Sequence, residues 1–408
     1  MMLLRNDIGS ETWWQEVVQL GTPIIEPAVN KRHTVTFLWR DPQGDESRSA
    51  TRRVWINITG ISDHHQQGLP QSLQRIAGTD VWQWQTQLDA SWRGSYSLIP
   101  HSAEDPFLQA QTSDVTMQRN SWRSLFADAI GDPLNHHGSW KSGRGHPTSP
   151  LHMPLAPPQT YWQAAAQQPP HQCQRYQWSS SRLGNSRSVW LITTGSRAPA
   201  SRPLAILLDG QFWAQTMPVG GPLQAMTDAG ELPEAVYLLI DSINPQQRSV
   251  ELPCHADFWL AVQEELLPQL AGWAAHDSDP TRTVVAGQSF GGLSAVYAVL
   301  NWPRRFGCAL SLSGSFWWPQ RDLAEKSGWL SEQIAQASGS GSSMRFLLEA
   351  GKREPLIITV NDRLSQQLDA AGHDVEYHQI DGGHDALWWR SGLTDGLQQL
   401  WSAPQFLR

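Results

Sequence analysis

The segment Thr283-Val284-Val285-Ala286-Gly287-Gln288-Ser289-Phe290-Gly291-Gly292 constrains this chain more than any other. It reads as a short apolar strand, a sharp Gly-x-Ser-x-Gly turn and a helix running to Asn301. Such a turn strains the backbone at the serine and lifts its hydroxyl above a sheet edge. Gly287 and Gly291 are expected to keep side chains away, so that strand and helix pack closely. The helix N-terminus places the positive end of its dipole at Ser289. A bare Gly-x-Ser-x-Gly match is weak, and the strand–turn–helix context is what gives it meaning.

The surrounding sequence predicts a parallel sheet for that strand to join. From about residue 173, apolar runs alternate with helical segments. The expected strands are Ser188–Thr193, Leu204–Leu208, Ala235–Ile240, Thr283–Ala286, Cys308–Leu312, Arg345–Leu348 and Val375–Gln379. The expected helices are Ala256–Ala274, Gly292–Asn301, Arg321–Ala337, Pro355–Ala371 and Leu387–Trp401. Strands that are apolar throughout belong in a sheet covered by helices on both faces, hence an α/β fold. The first third is different. Val35, Phe37 and Trp39 alternate with Thr34, Thr36 and Leu38, and Val54, Ile56 and Ile58 alternate with Trp55 and Asn57. That period of two predicts a small antiparallel β-sandwich. Residues from about 120 to 172 are rich in Pro and Gly, yet Trp122, Phe126, Trp140, Met153, Tyr161 and Trp162 are too apolar for a free tether. We expect an N-terminal sandwich domain with an ordered connector over residues 1–150 and a catalytic domain over 151–408.

A serine hydroxyl needs a base to become a nucleophile. The Ser289 turn resembles the nucleophile elbow of α/β-hydrolases, whose chain order is Ser, acid, His. Of 14 histidines, only His373, His378 and His384 follow Ser289. His378 falls within the last expected strand and His373 in a surface turn, whereas His384 lies between that strand and the final helix. His384 is therefore the expected base, the alternative being a loop histidine that caps the helix. The acid should follow the Met344–Glu349 strand, with Glu349, Glu354 and Asp362 as candidates. Glu354, in the strand-to-helix loop, is the choice; Asp381 is the runner-up, and a Ser–His dyad is the third reading. The oxyanion donors are expected to be the amide of Phe290 and that of Gln211, after Leu207-Leu208-Asp209-Gly210. Asp209 reads as a structural carboxylate that satisfies loop amides.

Several further segments are held in common with one family. They are Leu207–Trp213, Arg248-Ser249-Val250-Glu251-Leu252, Phe258–Pro268, Val285–Ala295, Ser313-Gly314-Ser315-Phe316-Trp317-Trp318-Pro319 and Gly382–Arg390. Upstream, Gly78–Trp82 and Asp132-Pro133-Leu134-Asn135 join them. In these the chain resembles the enterochelin (enterobactin) esterases over nearly its whole length. One departure is His255, where asparagine is expected. The resemblance implies an α/β-hydrolase domain behind an immunoglobulin-like, early-set sandwich. It implies a cytoplasmic serine esterase that cleaves the trilactone of ferric enterobactin to 2,3-dihydroxybenzoylserine, with Ser289 as nucleophile and His384 as base.

A ferric tris-catecholate is a bulky aromatic trianion, which calls for aromatic walls and a few cations. The chain holds 22 Trp against 10 Phe and 6 Tyr. Trp213, Trp317, Trp318, Trp388 and Trp389 lie beside the expected site loops, and Lys141, Arg144, Lys352, Arg353 and Arg390 are the nearby cations. We expect Arg144 with Arg353 or Lys352 to meet the catecholates, and Trp213, Trp317 and Trp389 to form the walls. The iron arrives with the substrate, so no cofactor and no protein metal site are expected. A net charge of −8 argues against nucleic acid or an anionic membrane as partner. No signal peptide or membrane span is read at the N-terminus, and three cysteines without metal spacing fit a reducing cytoplasm. A monomer or small homo-oligomer is expected. The competing readings are a carbohydrate or hydroxycinnamate ester hydrolase and a non-catalytic catecholate-binding protein.

Overall fold

In a computed structural model, residues 5–63, 65–66, 68–103, 106–107, 115–142, 145–168, 171, 173–195, 202–319, 328–336 and 344–402 are described. The chain forms two compact units. The first comprises Met1–Pro157 with Asp381–Trp388, and the second Pro158–Ile380 with Trp389–Arg408.

The first unit is built on strands β1 (Ile24–Ile25), β2 (Arg32–Arg40), β3 (Arg53–Ile58), β4 (Gln71–Arg75), β5 (Val81–Asp89), β6 (Arg93–His101), β7 (Trp140–Lys141) and β8 (Pro147–His152). They hydrogen-bond in the order β1-β2-β5-β4-β3-β6-β8-β7, with every pair antiparallel. Val35, Phe37 and Trp39 of β2 share one core with Val54, Ile56 and Ile58 of β3, as their alternation predicts. The other face of β2 is not solvated, however. Leu38 is buried against Trp13, Trp14 and Val17 of helix α1 (Glu11–Leu20). Ser10 caps that helix by accepting from the Trp13 amide at 3.2 Å. A further helix, α2 (Val115–Leu125), contributes Trp122 and Leu125 to a small core with Trp55 and Ile99. The stretch read as connector thus supplies α2 and two strands of the sheet.

The second unit holds strands β9 (Gln174–Ser180), β10 (Asn185–Thr193), β11 (Leu204–Leu208), β12 (Val236–Ile240), β13 (Thr283–Gln288), β14 (Cys308–Leu312), β15 (Arg345–Gly351) and β16 (Asp374–Ile380). Their order is β16-β15-β14-β13-β11-β12-β10-β9. The six strands from β11 to β16 run parallel, while β10 and β9 add an antiparallel edge. Strands β11 to β14 are buried end to end, as continuous apolar runs require. The expected strands of this unit are all present, several extended by one to three residues. The polar β9 was not expected.

The helices are α3 (Thr160–Ala165), α4 (Gly220–Asp228), α5 (Pro245–Glu251), α6 (Ala256–Ala261), α7 (Leu267–Trp273), α8 (Phe290–Asn301), α9 (Trp329–Gln336), α10 (Pro355–Ala370) and α11 (Ala386–Trp401). Of the expected helix Arg321–Ala337, residues 321–327 and 337 lie outside the described residues. His255 is the N-cap of α6: its Nδ1 accepts from the Phe258 amide at 3.1 Å. That accounts for a histidine where asparagine was expected, since both side chains can accept an amide proton at a helix start.

A buried ion pair ties β10 to α5. Arg187 and Glu251 are 1% and 2% exposed and meet at 2.6 Å, with Asn185 and Gln247 also donating to Glu251. Burial pushes the Glu251 carboxyl up, but Arg187 and the two amides more than offset it and hold it below its ordinary value.

Candidate active site

The sheet order reverses at β11. The chain steps to β12 on one side and returns to β13 on the other, which makes the carboxyl ends of β11 and β13 the natural crevice for a ligand. Three neighbouring strands end there on a residue with positive φ: Asp209 at 55°, Ser289 at 58° and Ser313 at 50°. Non-glycine residues rarely adopt this conformation, and it persists only where the surroundings enforce it.

Ser289 stands between β13 and α8 with φ 58° and ψ −118°. Its amide donates to Leu312 O at 2.9 Å, and its carbonyl accepts from Ser315 N at 3.0 Å and Leu293 N at 3.1 Å. The backbone is therefore pinned from β14, the following loop and α8 at once. A Cβ at Gly287 would lie 2.5 Å from the Gly291 backbone, so only glycine fits there. The second tight position is Gly292, whose added Cβ would meet Ser311 Oγ at 2.5 Å. At Gly291 it would touch nothing closer than 3.5 Å, which shifts the close approach expected at 291 by one residue. The Ser289 hydroxyl stands 3.2 Å from that of Ser315, a buried residue that sequence reasoning did not single out.

The Phe290 amide is the first of α8 and has no intrahelical acceptor. Gln211 follows the Asp209 turn, and its side chain is occupied in accepting from Ser242 N at 3.1 Å. Asp209 is structural, as expected, but its partners are not loop amides. Arg248 grips it through two hydrogen bonds of 2.7 and 2.8 Å, Gln288 Nε2 donates to it at 3.1 Å, and the Ser242 hydroxyl donates as well. Since Gln288 directly precedes the nucleophile, this network couples the β11 turn to the elbow.

Glu354 follows β15 and immediately precedes Pro355 of α10. It is 1% exposed. Its Oε1 accepts from Ser313 Oγ at 2.7 Å and from Gly351 N at 3.2 Å, and Ser313 Oγ in turn accepts from Trp389 Nε1 at 3.0 Å. The other carboxylate candidates differ. Asp362 accepts from Tyr377 and Gln379, and Glu349 lies within β15.

His384, Asp381 and Trp388 belong to the segment grouped with the first unit. The His384 ring is 5.4 Å from that of His65. Asp385 caps α11, accepting from Leu387 N at 2.9 Å. His373 and His378 lie elsewhere, the former against Phe346 and the latter paired with Glu376.

The aromatic and cationic residues divide. Trp317 is 9% exposed and packs against Phe290, with ring centroids 5.6 Å apart. Trp389 is half-buried and anchored to Ser313. Trp213 corrects an expectation: it is 1% exposed and donates to Gln288 Oε1 at 3.3 Å, so it is packing beneath the elbow rather than a wall facing substrate. Arg390 donates to Gln159 at 2.7 Å and lies over the Trp162 ring. Lys352 is exposed and Arg353 half-buried. Arg144 lies outside the described residues. Among the described residues no group of three or more His, Cys, Asp or Glu could hold a metal ion, and no helix is long and apolar enough to cross a membrane.

The family model for the N-terminal part of enterochelin esterase matches residues 34–162, and the Esterase family model matches residues 180–400. The iron(III) enterobactin esterase of Escherichia coli is 52% identical over 394 residues, spanning 97% of each chain. That of Dickeya dadantii is 48% identical over 417 residues, spanning 98% of this chain and 94% of its own. The crystal structure of ferric enterobactin esterase from Salmonella typhimurium matches with a TM-score of 0.91 at 52% identity, covering 98% of this chain and all of the other. The Shigella flexneri enzyme, crystallised in the presence of enterobactin, matches at 0.88 and 51% identity over 97% of this chain and 98% of its own. With both family models matched in sequence and relatives this similar along nearly the whole length, the chain belongs to the iron(III) enterobactin (enterochelin) esterase family.

Proposed function

We propose that this protein is a serine esterase that hydrolyses the trilactone of ferric enterobactin to 2,3-dihydroxybenzoylserine units and so frees iron for use in the cytoplasm. The observation that carries the reading is the Ser289 elbow, with φ 58° at the end of a central strand, in a chain 52% identical to an iron(III) enterobactin esterase.

In this reading His384 takes the proton as Ser289 Oγ attacks an ester carbonyl. The negative oxygen of the tetrahedral intermediate is held by the amides of Phe290 and Gln211, each donor contributing about 3–4 kcal/mol to the transition state. The carbonyl carbon–oxygen bond to the neighbouring serine unit then breaks, and His384 returns its proton to that leaving oxygen. Because the first ester is part of a ring, the whole opened trimer stays on Ser289. Water, deprotonated by His384, releases it, and repeated cycles cut the linear product. Glu354, whose carboxylate is buried and held by Ser313, is the acid that holds the imidazole in its working tautomer. Trp317 and Trp389 offer aromatic surface to the catechols, and Arg353 with Lys352 and Arg144 offers positive charge. The sheet of the first unit is an immunoglobulin-like, early-set sandwich in this account, with the domain division near residue 150.

Chromatography of ferric enterobactin incubated with the wild type and with Ser289→Ala tests the reading. The wild type should yield linear trimer, dimer and monomer, and the variant none. Absence of cleavage by the wild type would leave a binding protein, and cleavage of a hydroxycinnamate ester in its place would point to a different esterase.

A further inference from the structure

We propose that Asp385 is a positioning residue for His384: its carboxylate ties the base-bearing loop to the sheet of the first unit, so that this sheet sets where the imidazole stands. The inference rests on His384 being the catalytic base.

The loop is fastened on both sides of the histidine. After it, Asp385 is buried and accepts four hydrogen bonds. Ser95 of β6 donates twice, from its amide to Oδ2 at 2.5 Å and from its hydroxyl to Oδ1 at 2.7 Å. The Leu387 amide donates at 2.9 Å, and the Thr59 hydroxyl supplies the fourth. Burial pushes this carboxyl up, and the four donors oppose that push. A carboxylate offers about four lone-pair sites, so Asp385 has none left for an imidazole. It is thereby excluded as the acid partner of His384 and can act only by holding the chain.

Before the histidine, Gly383 lies flat on the turn that follows β3. A Cβ there would stand 2.7 Å from Gly60 N and 2.8 Å from Gly60 Cα. One turn further on, Trp388 Nε1 donates to Arg93 O at 3.1 Å, and the Arg93 guanidinium covers the Trp388 ring at 4.8 Å. His384 thus stands between Gly383, packed closely on the turn after β3, and Asp385, hydrogen-bonded to β6. A displacement of about 1 Å in a reacting group can cost on the order of 100-fold in rate.

Asp385→Asn keeps the size and loses two acceptor sites. Its kcat should fall about 10- to 100-fold with KM within about two-fold, because substrate contacts are untouched. Labelling of Ser289 by a fluorophosphonate should slow by the same factor. Ser95→Ala, a milder change, should lower kcat about three- to ten-fold in the same pattern, and it decides the matter if Asp385→Asn does not fold. Asp41→Asn removes another buried carboxylate of the same unit, one bound to Arg75 and Ser49, and serves as the stability control. At equal loss of melting temperature it should keep kcat within about two-fold of wild type. If Asp385→Asn and Ser95→Ala lower kcat no more than Asp41→Asn does, while His384→Ala is inactive, the positioning role is overturned and the base assignment stands. If His384→Ala turns over like the wild type, the base assignment falls and this inference falls with it.

Discussion

The hydroxyl of Ser313 donates to Glu354 Oε1 at 2.7 Å while accepting from the indole of Trp389 at 3.0 Å. Two loops and Trp389 of α11, all in the second unit, are joined through one serine whose own φ is 50°. The carboxylate so held is the acid of the proposed triad.

Replacing it separates the candidate acids. Glu354→Gln removes the charge but keeps the shape, and kcat should fall on the order of 100- to 10,000-fold, as for an orienting carboxylate in other serine hydrolases. Asp381→Asn should stay within a few-fold. Steady-state kinetics on both variants checks this, and near-equal small losses would favour a Ser–His dyad.

The Arg248–Asp209 pair should matter for stability and for the elbow together. Arg248→Met leaves the Asp209 carboxylate in a buried place without its cation, and the expected loss is about 2–4 kcal/mol, Arg248 being partly exposed. Adding Asp209→Asn should recover part of it. Denaturant unfolding of the single and double variants reads the coupling, and strict additivity would show that the pair is not coupled.

Much of the fold was legible because its signals are local. The elbow carries its glycines, its apolar strand and its helix within twenty residues, and β11 and β14 begin and end as expected. What was not legible depends on distant partners. Leu38 reads as the solvent face of β2 until α1 covers it. The strand β9 carries too few apolar residues to announce itself, since four of its seven residues are exposed and only Trp178 and Ser180 are buried. Asp385 looks like any acidic loop residue, because the Ser95 that binds it is 290 positions away. Trp213 lies beside the site loops in sequence, whereas its indole nitrogen turns inward to Gln288. Tryptophan abundance marks apolar volume and does not say which ring faces a ligand.

The Arg187–Glu251 pair predicts an acid-labile second unit. The Glu251 carboxyl is held below its ordinary value by Arg187, so its contribution is fully present above the ordinary carboxylate range and is lost as pH falls through the lower folded value. Glu251→Gln should cost about 3–5 kcal/mol at neutral pH, by leaving Arg187 buried without a counter-charge, and should flatten the acid limb of the stability profile. Thermal melts from pH 7 down to the acid transition check both, and an unchanged acid limb would contradict the assignment.

The helix cap at His255 gives a smaller and opposite pair of effects. His255→Asn should leave stability within about 0.5 kcal/mol or raise it, since asparagine is among the preferred caps, whereas His255→Ala should cost about 1 kcal/mol. Chemical denaturation resolves the two. Equal losses for Asn and Ala would mean that the 3.1 Å bond to Phe258 contributes nothing.

The central claim is that Ser289 becomes covalently acylated by the siderophore. Acid-quenched mass spectrometry of the protein mixed with enterobactin, followed by peptide mapping, tests it most directly. The expected result is an adduct on the peptide bearing Ser289 with the mass of the whole opened trimer, absent in Ser289→Ala. An adduct on another residue, or turnover by Ser289→Ala at the wild-type rate, would contradict it.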